Sequence, residues 1–282
     1  MELIVIGAGP AYTDRRGATG ASYLVRAGGA GGGAGGAAGA AGGVAGGAGA
    51  AGGAALLLDL GQGSFSNLAS TIEPSELTAI IVSHLHPDHF VDLVPLRHYL
   101  RYEFDPPRRA RVFGPAGLGD RLDLLHAHPG FAAASLDVAT LAPGVQRIGP
   151  FEVEARRVAH TEESYAFRVS LAGAAARAGN SAPNNPGLVY SGDCGRADDL
   201  IPLIRPGDTL LSEASFGAGR VPAGAEHLTA ADAGRAATAG RAARLLLTHI
   251  QMGYSRADAL AAAQAAFSGS VQVVTEGDRF EV

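Results

Sequence analysis

The chain has 282 residues with 22 basic and 27 acidic side chains, a net charge of −5, which gives no bulk electrostatic signature of a nucleic-acid binder. Its single cysteine excludes an internal disulfide and a thiolate-rich metal site, so any metal must be held by histidines and carboxylates. The first residues, MELIVIGAG, carry Glu2, lack a basic region and are too short for a signal peptide or a membrane span, so a cytoplasmic protein without a membrane partner is expected.

In chain order, ELIVIG reads as a strand. GAGPAY after it lacks the third glycine of a dinucleotide-binding turn, has Tyr12 in its place, and is read as a turn between strands. GASYLVRA and AALLLDLG read as two strands flanking residues 28–54, which are Gly and Ala apart from Val44. Such a tract cannot fill a core and forms helix poorly, so it is expected to be a disordered, functionless hairpin-loop insertion. TAIIVSH, RARVFGP, FEVEARRVAH, YAFRVSL, GLVYSGD, TLLSEA, RLLLTHI and SVQVVTE read as further strands. Helices are expected from Asp88 to about His98, Leu118 to His126, Asp198 to Ile204, Ala230 to Ala239 and Arg256 to Phe267. Thr229 and Ser255 serve as N-caps of the last two, with Asp232 and Asp258 three residues on and Gly240 and Gly269 past the ends. Two strand-rich halves with their own helices predict two sheets packed face to face, helices outside, in one domain spanning 1–282.

The candidate chemistry falls at strand ends. IIVSHLHPDHF places His84, His86, Asp88 and His89 in one loop after an apolar strand, and such a cluster needs a cation to organise it. His160, Asp193 and His249 end three later strands and together complete ligand sets for two metal ions. His98, His126 and His128 lack that context and read as surface or structural residues. Cys194 reads as packing beside the metal loop.

HLHPDH resembles the H-x-H-x-D-H signature of the metallo-β-lactamase superfamily, with the later His, Asp and His in the family's order. The resemblance implies an α/β, four-layer αβ/βα sandwich with a dinuclear site at one edge. It implies that His84, His86 and His160 bind one ion, that Asp88, His89 and His249 bind the other, and that Asp193 bridges both. Zinc is the expected ion, with manganese or iron as alternatives, because N/O ligand sets discriminate weakly. Two such ions lower the pKa of a shared water and stabilise charge on the attacked group, and Asp88 can orient that nucleophile.

SEASFGAGRVPAGAEHLTAADAG resembles the ribonuclease Z-like branch. His227, just before the capped helix, is expected to assist the leaving oxygen of a phosphodiester, with Glu213 orienting it. Ser164 and Tyr165 also match that branch and are expected to shape the pocket near His160. Ribonuclease Z carries a long tRNA-gripping arm between the positions of His160 and Asp193, where this chain has only AGAAARAGNSAPNNPG. Arg97, Arg101, Arg108, Arg109 and Arg111 read as a solvated helix face and loop rather than an RNA patch. The pattern is similar to atypical bacterial cyclic-nucleotide phosphodiesterases of the same branch, so a small phosphodiester is the expected substrate. The alternatives are a ribonuclease Z-type tRNA 3′-end endonuclease acting on RNA, a lactone or thioester hydrolase, and a non-catalytic metal-binding protein. The family implies a homodimer, although no feature of the sequence fixes an interface.

Overall fold

In a computed structural model of the protein, the structure describes residues 1–28, 53–173 and 185–282. They form two seven-stranded sheets packed face to face. The first sheet runs β14-β1-β2-β3-β4-β5-β6, built from β1 (Glu2–Gly7), β2 (Ser22–Arg26), β3 (Ala55–Leu58), β4 (Ala79–Ile81), β5 (Ala110–Gly114), β6 (Leu136–Thr140) and the returning β14 (Arg279–Glu281). The second runs β13-β12-β11-β10-β9-β8-β7. Its strands are β7 (Gly144–Ile148), β8 (Phe151–Arg157), β9 (Tyr165–Leu171), β10 (Leu188–Tyr190), β11 (Thr209–Glu213), β12 (Arg244–Thr248) and β13 (Ser270–Val273).

The layers follow from the two-residue period of strands. Leu3, Val5 and Tyr23 face Phe151, Tyr165, Leu211 and Leu246 across the sandwich. The intervening Ile4, Ile6 and Leu24 point outward, onto the helices α1 (Ser64–Thr71), α3 (Leu93–Tyr102) and α4 (Leu118–His126). On the far side Leu210, Leu245 and Leu247 pack on α5 (Ala230–Gly240) and α6 (Arg256–Ala266), whose contact face is mostly alanine. This is the expected four-layer sandwich.

The Gly/Ala tract and the segment before Asp193 lie largely outside the described residues, and only their ends are defined. Strands β2 and β3 pair antiparallel from Tyr23↔Leu58 to Arg26↔Ala55, and the Ala27 N–H donates to the Ala54 carbonyl, so the tract does connect two hairpin-paired strands. Strands β9 and β10 pair antiparallel as well.

Several elements differ from expectation. The helix expected from Asp88 to His98 is two helices, α2 (Pro87–Phe90) and α3, because the Asp92 N–H donates to Leu60 and the Asp88 carbonyl accepts from Ala21. Pro95 removes a further helical donor at the start of α3. The helix expected over Asp198–Ile204 is a 3₁₀ turn at Ala197–Asp199 followed by further turns, since Pro202 disfavours helical backbone at Ile201. Helix α1 and strands β6, β7 and β14 carried no clear pattern in the sequence. Gly240 closes α5 rather than following it. Arg241 takes the left-handed position (φ 57°), and a Cβ at Gly240 would lie 2.5 Å from Ile204. The caps at Thr229, with its reciprocal Asp232, and at Ser255 are present. No helix among the described residues is long and apolar enough to cross a membrane.

Candidate metal centre

The parallel strands of both sheets end at one edge of the sandwich, and the polar residues collect there. Asp59 follows β3, Ser83 and His84 lie just beyond β4, Asp193 follows β10, Glu213 closes β11 and His249 follows β12. His160 sits in the turn between β8 and β9. The chain must bend sharply at these ends, and Asp59 (φ 58°) and His249 (φ 56°) hold left-handed backbone that is rare for residues with a side chain.

The structure brings all seven expected ligands together, in two groups. In the first, His84 Nε2 and His160 Nε2 lie 3.0 and 3.1 Å from His86 Nδ1, and both lie 3.7 Å from Asp193 Oδ2. In the second, His89 Nε2 and His249 Nε2 lie 3.4 and 3.6 Å from Asp193 Oδ1 and 3.6 and 3.1 Å from Asp88 Oδ2. Asp193 thus offers one oxygen to each group. The second group is fully buried, whereas His86 is exposed, so the first group faces solvent. A cleft of about 660 Å³ opens beside it between Leu85, Pro115, Arg121 and Thr161.

Hydrogen bonds behind the rings decide which nitrogen is free. His89 Nδ1 donates to Asp59 Oδ2 at 2.7 Å, a carboxylate that also accepts from the hydroxyls of Ser83 and Tyr190. Because the Ser83 hydroxyl donates to Asp59, it accepts from His84 Nδ1 at 3.1 Å. The Ser215 hydroxyl donates to Glu213 in the same way and accepts from His249 Nδ1 at 3.1 Å. His160 Nδ1 donates to the Glu226 carbonyl at 2.8 Å. Four rings therefore present an Nε2 lone pair to the cluster, the arrangement that metal-binding histidines take.

The donor set fits a pair of divalent cations. His89 Nε2 and Asp193 Oδ1 are buried without a hydrogen bond, which is costly unless a cation satisfies them. Burial holds His84 well below the ordinary imidazole range, which keeps the ring neutral, as a ligand must be. Burial would also lower His89, but Asp193 and Asp59 outweigh it and hold the ring well above its ordinary value, a position where a cation can replace the proton. Asp193 would be raised by burial, yet His249 and His89 hold it well below the usual carboxylate range.

His227 joins this group from the loop before α5. Its Nδ1 donates to Glu213 Oε1 at 3.0 Å and lies 3.8 Å from Asp193 Oδ2. Its ring centroid lies 4.6 Å from that of His160 and stacks 6.0 Å from that of His249. Burial opposes its charge, but Glu213 prevails and its pKa is raised to about 9. Glu213 is itself fixed by the N–H groups of Cys194 and Ser215.

Other expectations fare unevenly. Ser164 binds Thr161 and shapes the His160 turn, but the Tyr165 side chain is buried in the sandwich core rather than in a pocket, because β9 points it inward. Cys194 is buried packing, as expected. Arg97 is not on a solvated face: it is buried, its Nε donates to the Phe131 carbonyl, and it stacks on that ring. Arg109 pairs with Asp137 at the surface. His98 and His126 cluster with Phe131, outside the two candidate ligand groups. Sequence reasoning missed Asp59, Ser83 and Ser215. The one signal for Asp59 was a lone carboxylate closing the apolar run ALLLD.

Comparison with known proteins agrees with this geometry. Residues 57–250 match the beta-lactamase superfamily domain. An uncharacterized protein of Mycobacterium leprae is 33% identical over 233 residues, covering 80% of this chain and 78% of its own. A ribonuclease Z of Salinispora arenicola is 30% identical over 263 residues, covering 78% and 84%. Among solved structures, the metallo-β-lactamase fold protein YhfI of Bacillus subtilis superposes with a TM-score of 0.77 at 22% identity, covering 99% of this chain and 98% of its own. A diphosphatase of the PhnP family superposes at 0.68 and 16% identity, covering 100% and 97%. Such low identities speak for the fold alone, but the domain match spans most of the chain and coincides with the converged histidines and aspartates. The chain belongs to the metallo-β-lactamase superfamily of metallo-hydrolases.

Proposed function

We propose that this protein is a metal-dependent phosphodiesterase acting on a small phosphodiester such as a cyclic nucleotide. His84, His86, His160 and Asp193 would hold one divalent ion, and Asp88, His89, His249 and Asp193 the other, with zinc favoured by the N/O donor set. When bound, such a pair supplies a hydroxide nucleophile near neutral pH and neutralises charge on the attacked phosphoryl group.

The chain's own residues would do the rest. Asp88, buried beside His89 and His249, has a carboxylate able to orient the nucleophile and accept its proton. His227 carries the case for phosphoryl over acyl transfer. It is a protonatable imidazole held by Glu213 beside the bridging carboxylate, and its Nε2 makes no protein hydrogen bond among the described residues. That ring is suited to protonate a leaving alkoxide, a demand heavier in phosphodiesters than in activated esters. A small substrate is favoured because only residues 172–187 separate β9 from β10, too short a connection for a tRNA-gripping arm, and because the net charge is −5. The identity to a ribonuclease Z keeps the 3′-end endonuclease as the second reading.

Zinc-loaded protein assayed on bis-p-nitrophenyl phosphate, cyclic AMP, cyclic GMP, a pre-tRNA, a homoserine lactone and a thioester decides among these. The expected result is turnover of the small phosphodiesters, with His227→Ala lowering kcat roughly 10²–10⁴-fold while metal content is unchanged. Lactone or thioester turnover that survives His227→Ala would overturn the reading. Preference for the pre-tRNA would install the second one, and no turnover of any substrate would leave a metal-binding protein without catalysis.

A further inference from the structure

Three arginines meet where the β1–β2 loop touches the start of α6. Arg15, Arg16 and Arg256 line a cavity of about 210 Å³ together with Ala8, Gly9 and Thr275. The guanidinium ion pairs of the described residues lie elsewhere, at Arg109, Arg157, Arg168, Arg196, Arg205, Arg235 and Arg279. The carboxylate that also lines the cavity, Glu276, accepts instead from the N–H groups of Ala8 and Thr19 at 3.1 and 3.2 Å. Asp278 likewise accepts from the Thr275 N–H.

Two of the three cations are pinned in place. Arg15 Nη2 donates to the Ile250 carbonyl at 2.7 Å. Arg256 Nη2 donates to the carbonyls of Val274 and Val273 at 2.7 and 3.1 Å and to Thr275 Oγ1 at 2.9 Å. Half-buried guanidiniums held side by side repel each other, and burial together with Arg15 pushes Arg256 below its ordinary value against the opposing pull of the Glu276 and Asp278 carboxylates. An anion with several acceptor oxygens relieves that repulsion at little entropic cost, because the donors are already fixed. The cavity is also wired to the metal centre. The Ala8 carbonyl on its wall accepts from the His249 N–H at 3.1 Å, and Arg15 is anchored on the residue that follows His249.

We propose that Arg15, Arg16 and Arg256 form a binding subsite for a phosphate-type oxyanion, on the His249 side of the metal centre. The group it takes is either a second phosphate of the substrate or free inorganic phosphate. Use by a substrate rests on the phosphodiesterase reading, whereas binding of the anion does not.

Arg16 is the position to alter, because it is exposed and anchors no other element among the described residues. Inorganic phosphate is titrated calorimetrically into zinc-loaded wild type, Arg16→Gln and Arg16→Glu, with thermal melts to verify folding. The wild type should show a phosphate event beyond any at the metal centre, weakened about tenfold in Arg16→Gln and abolished in Arg16→Glu. Identical isotherms in all three folded proteins overturn the subsite. A second arm compares kcat/KM on diadenylate with and without a 5′-phosphate. If Arg16→Gln raises KM only for the phosphorylated form, the subsite serves the substrate. If the ratio stays constant while calorimetric binding falls, it serves free phosphate. Absence of all turnover with Arg16-sensitive phosphate binding would sink the phosphodiesterase reading and leave the subsite standing.

Discussion

Among the residues of the metal centre, Asp59 touches no substrate-facing surface yet constrains two of the rings. Its Oδ2 accepts from His89 Nδ1, Ser83 Oγ and Tyr190 Oη, and its Oδ1 accepts from the Ser83 N–H at 2.6 Å. Burial and Asp59 both push the Tyr190 hydroxyl far above the ordinary phenol range, so it remains a donor. Asp59→Asn keeps the shape but turns one acceptor into a donor, which must oppose either His89 Nδ1–H and its companions at Oδ2 or the Ser83 N–H at Oδ1. It is expected to weaken metal binding about 10–100-fold in chelator-competition titrations, while the fold measured by circular dichroism is retained. Unchanged affinity would mean that the ring is oriented by packing alone. The sequence could not single out Asp59, because one carboxylate after one apolar strand is a common pattern. His84, His86, Asp88 and His89 were legible because four ligating side chains within six residues have no ordinary structural use. Ser215 was invisible for the same reason as Asp59: a serine beside a strand end has many uses, and only the fold brings it to His249.

At the scale of elements, the HLHPDH loop is held by close backbone approach. The Asp88 carbonyl accepts from Ala21, and Gly61 donates to the Ala21 carbonyl, so three segments meet with no space between them. A Cβ at Gly61 would stand 1.8 Å from the Asp88 carbonyl oxygen, a backbone atom that cannot swing aside. Gly61→Ala is therefore expected to displace Asp88, lowering bound metal and lowering the urea midpoint together; a variant with full metal content and wild-type stability would contradict this. The glycine in LDLGQG reads in sequence as an ordinary turn residue, since nothing local reports which distant carbonyl lies above it. Element boundaries failed for a similar reason. The break between α2 and α3 is made by Leu60 and Phe65 binding Asp92, contacts made across the fold. By contrast the Thr229 and Ser255 caps are local signals and were read correctly.

Across the whole molecule, the two sheets contribute unequally to one centre. His84, His86, Asp88 and His89 come from the first sheet's loops, and His160, Asp193 and His249 from the second. Alternating apolar strands and a ligand order shared with the metallo-β-lactamase superfamily made this two-halved sandwich legible before its geometry was known. With metal bound, the arrangement would make the centre a cross-link, since neither half alone completes a ligand set. A cation bound only by the folded chain stabilises it by about 2.7 kcal/mol per site at a hundredfold excess over Kd. For a chain of this size each kcal/mol moves Tm by roughly 2–4 °C, so chelation is expected to lower Tm by about 5–10 °C per site. The loss should be reversed by added zinc and should grow with the zinc concentration used for loading. Removing the metals also leaves His89 Nε2 and Asp193 Oδ1 unsatisfied between the sheets, which adds to the destabilisation. A Tm indifferent to chelator and zinc would show that the sandwich core alone holds the halves together, and would argue against a cluster filled in the native protein.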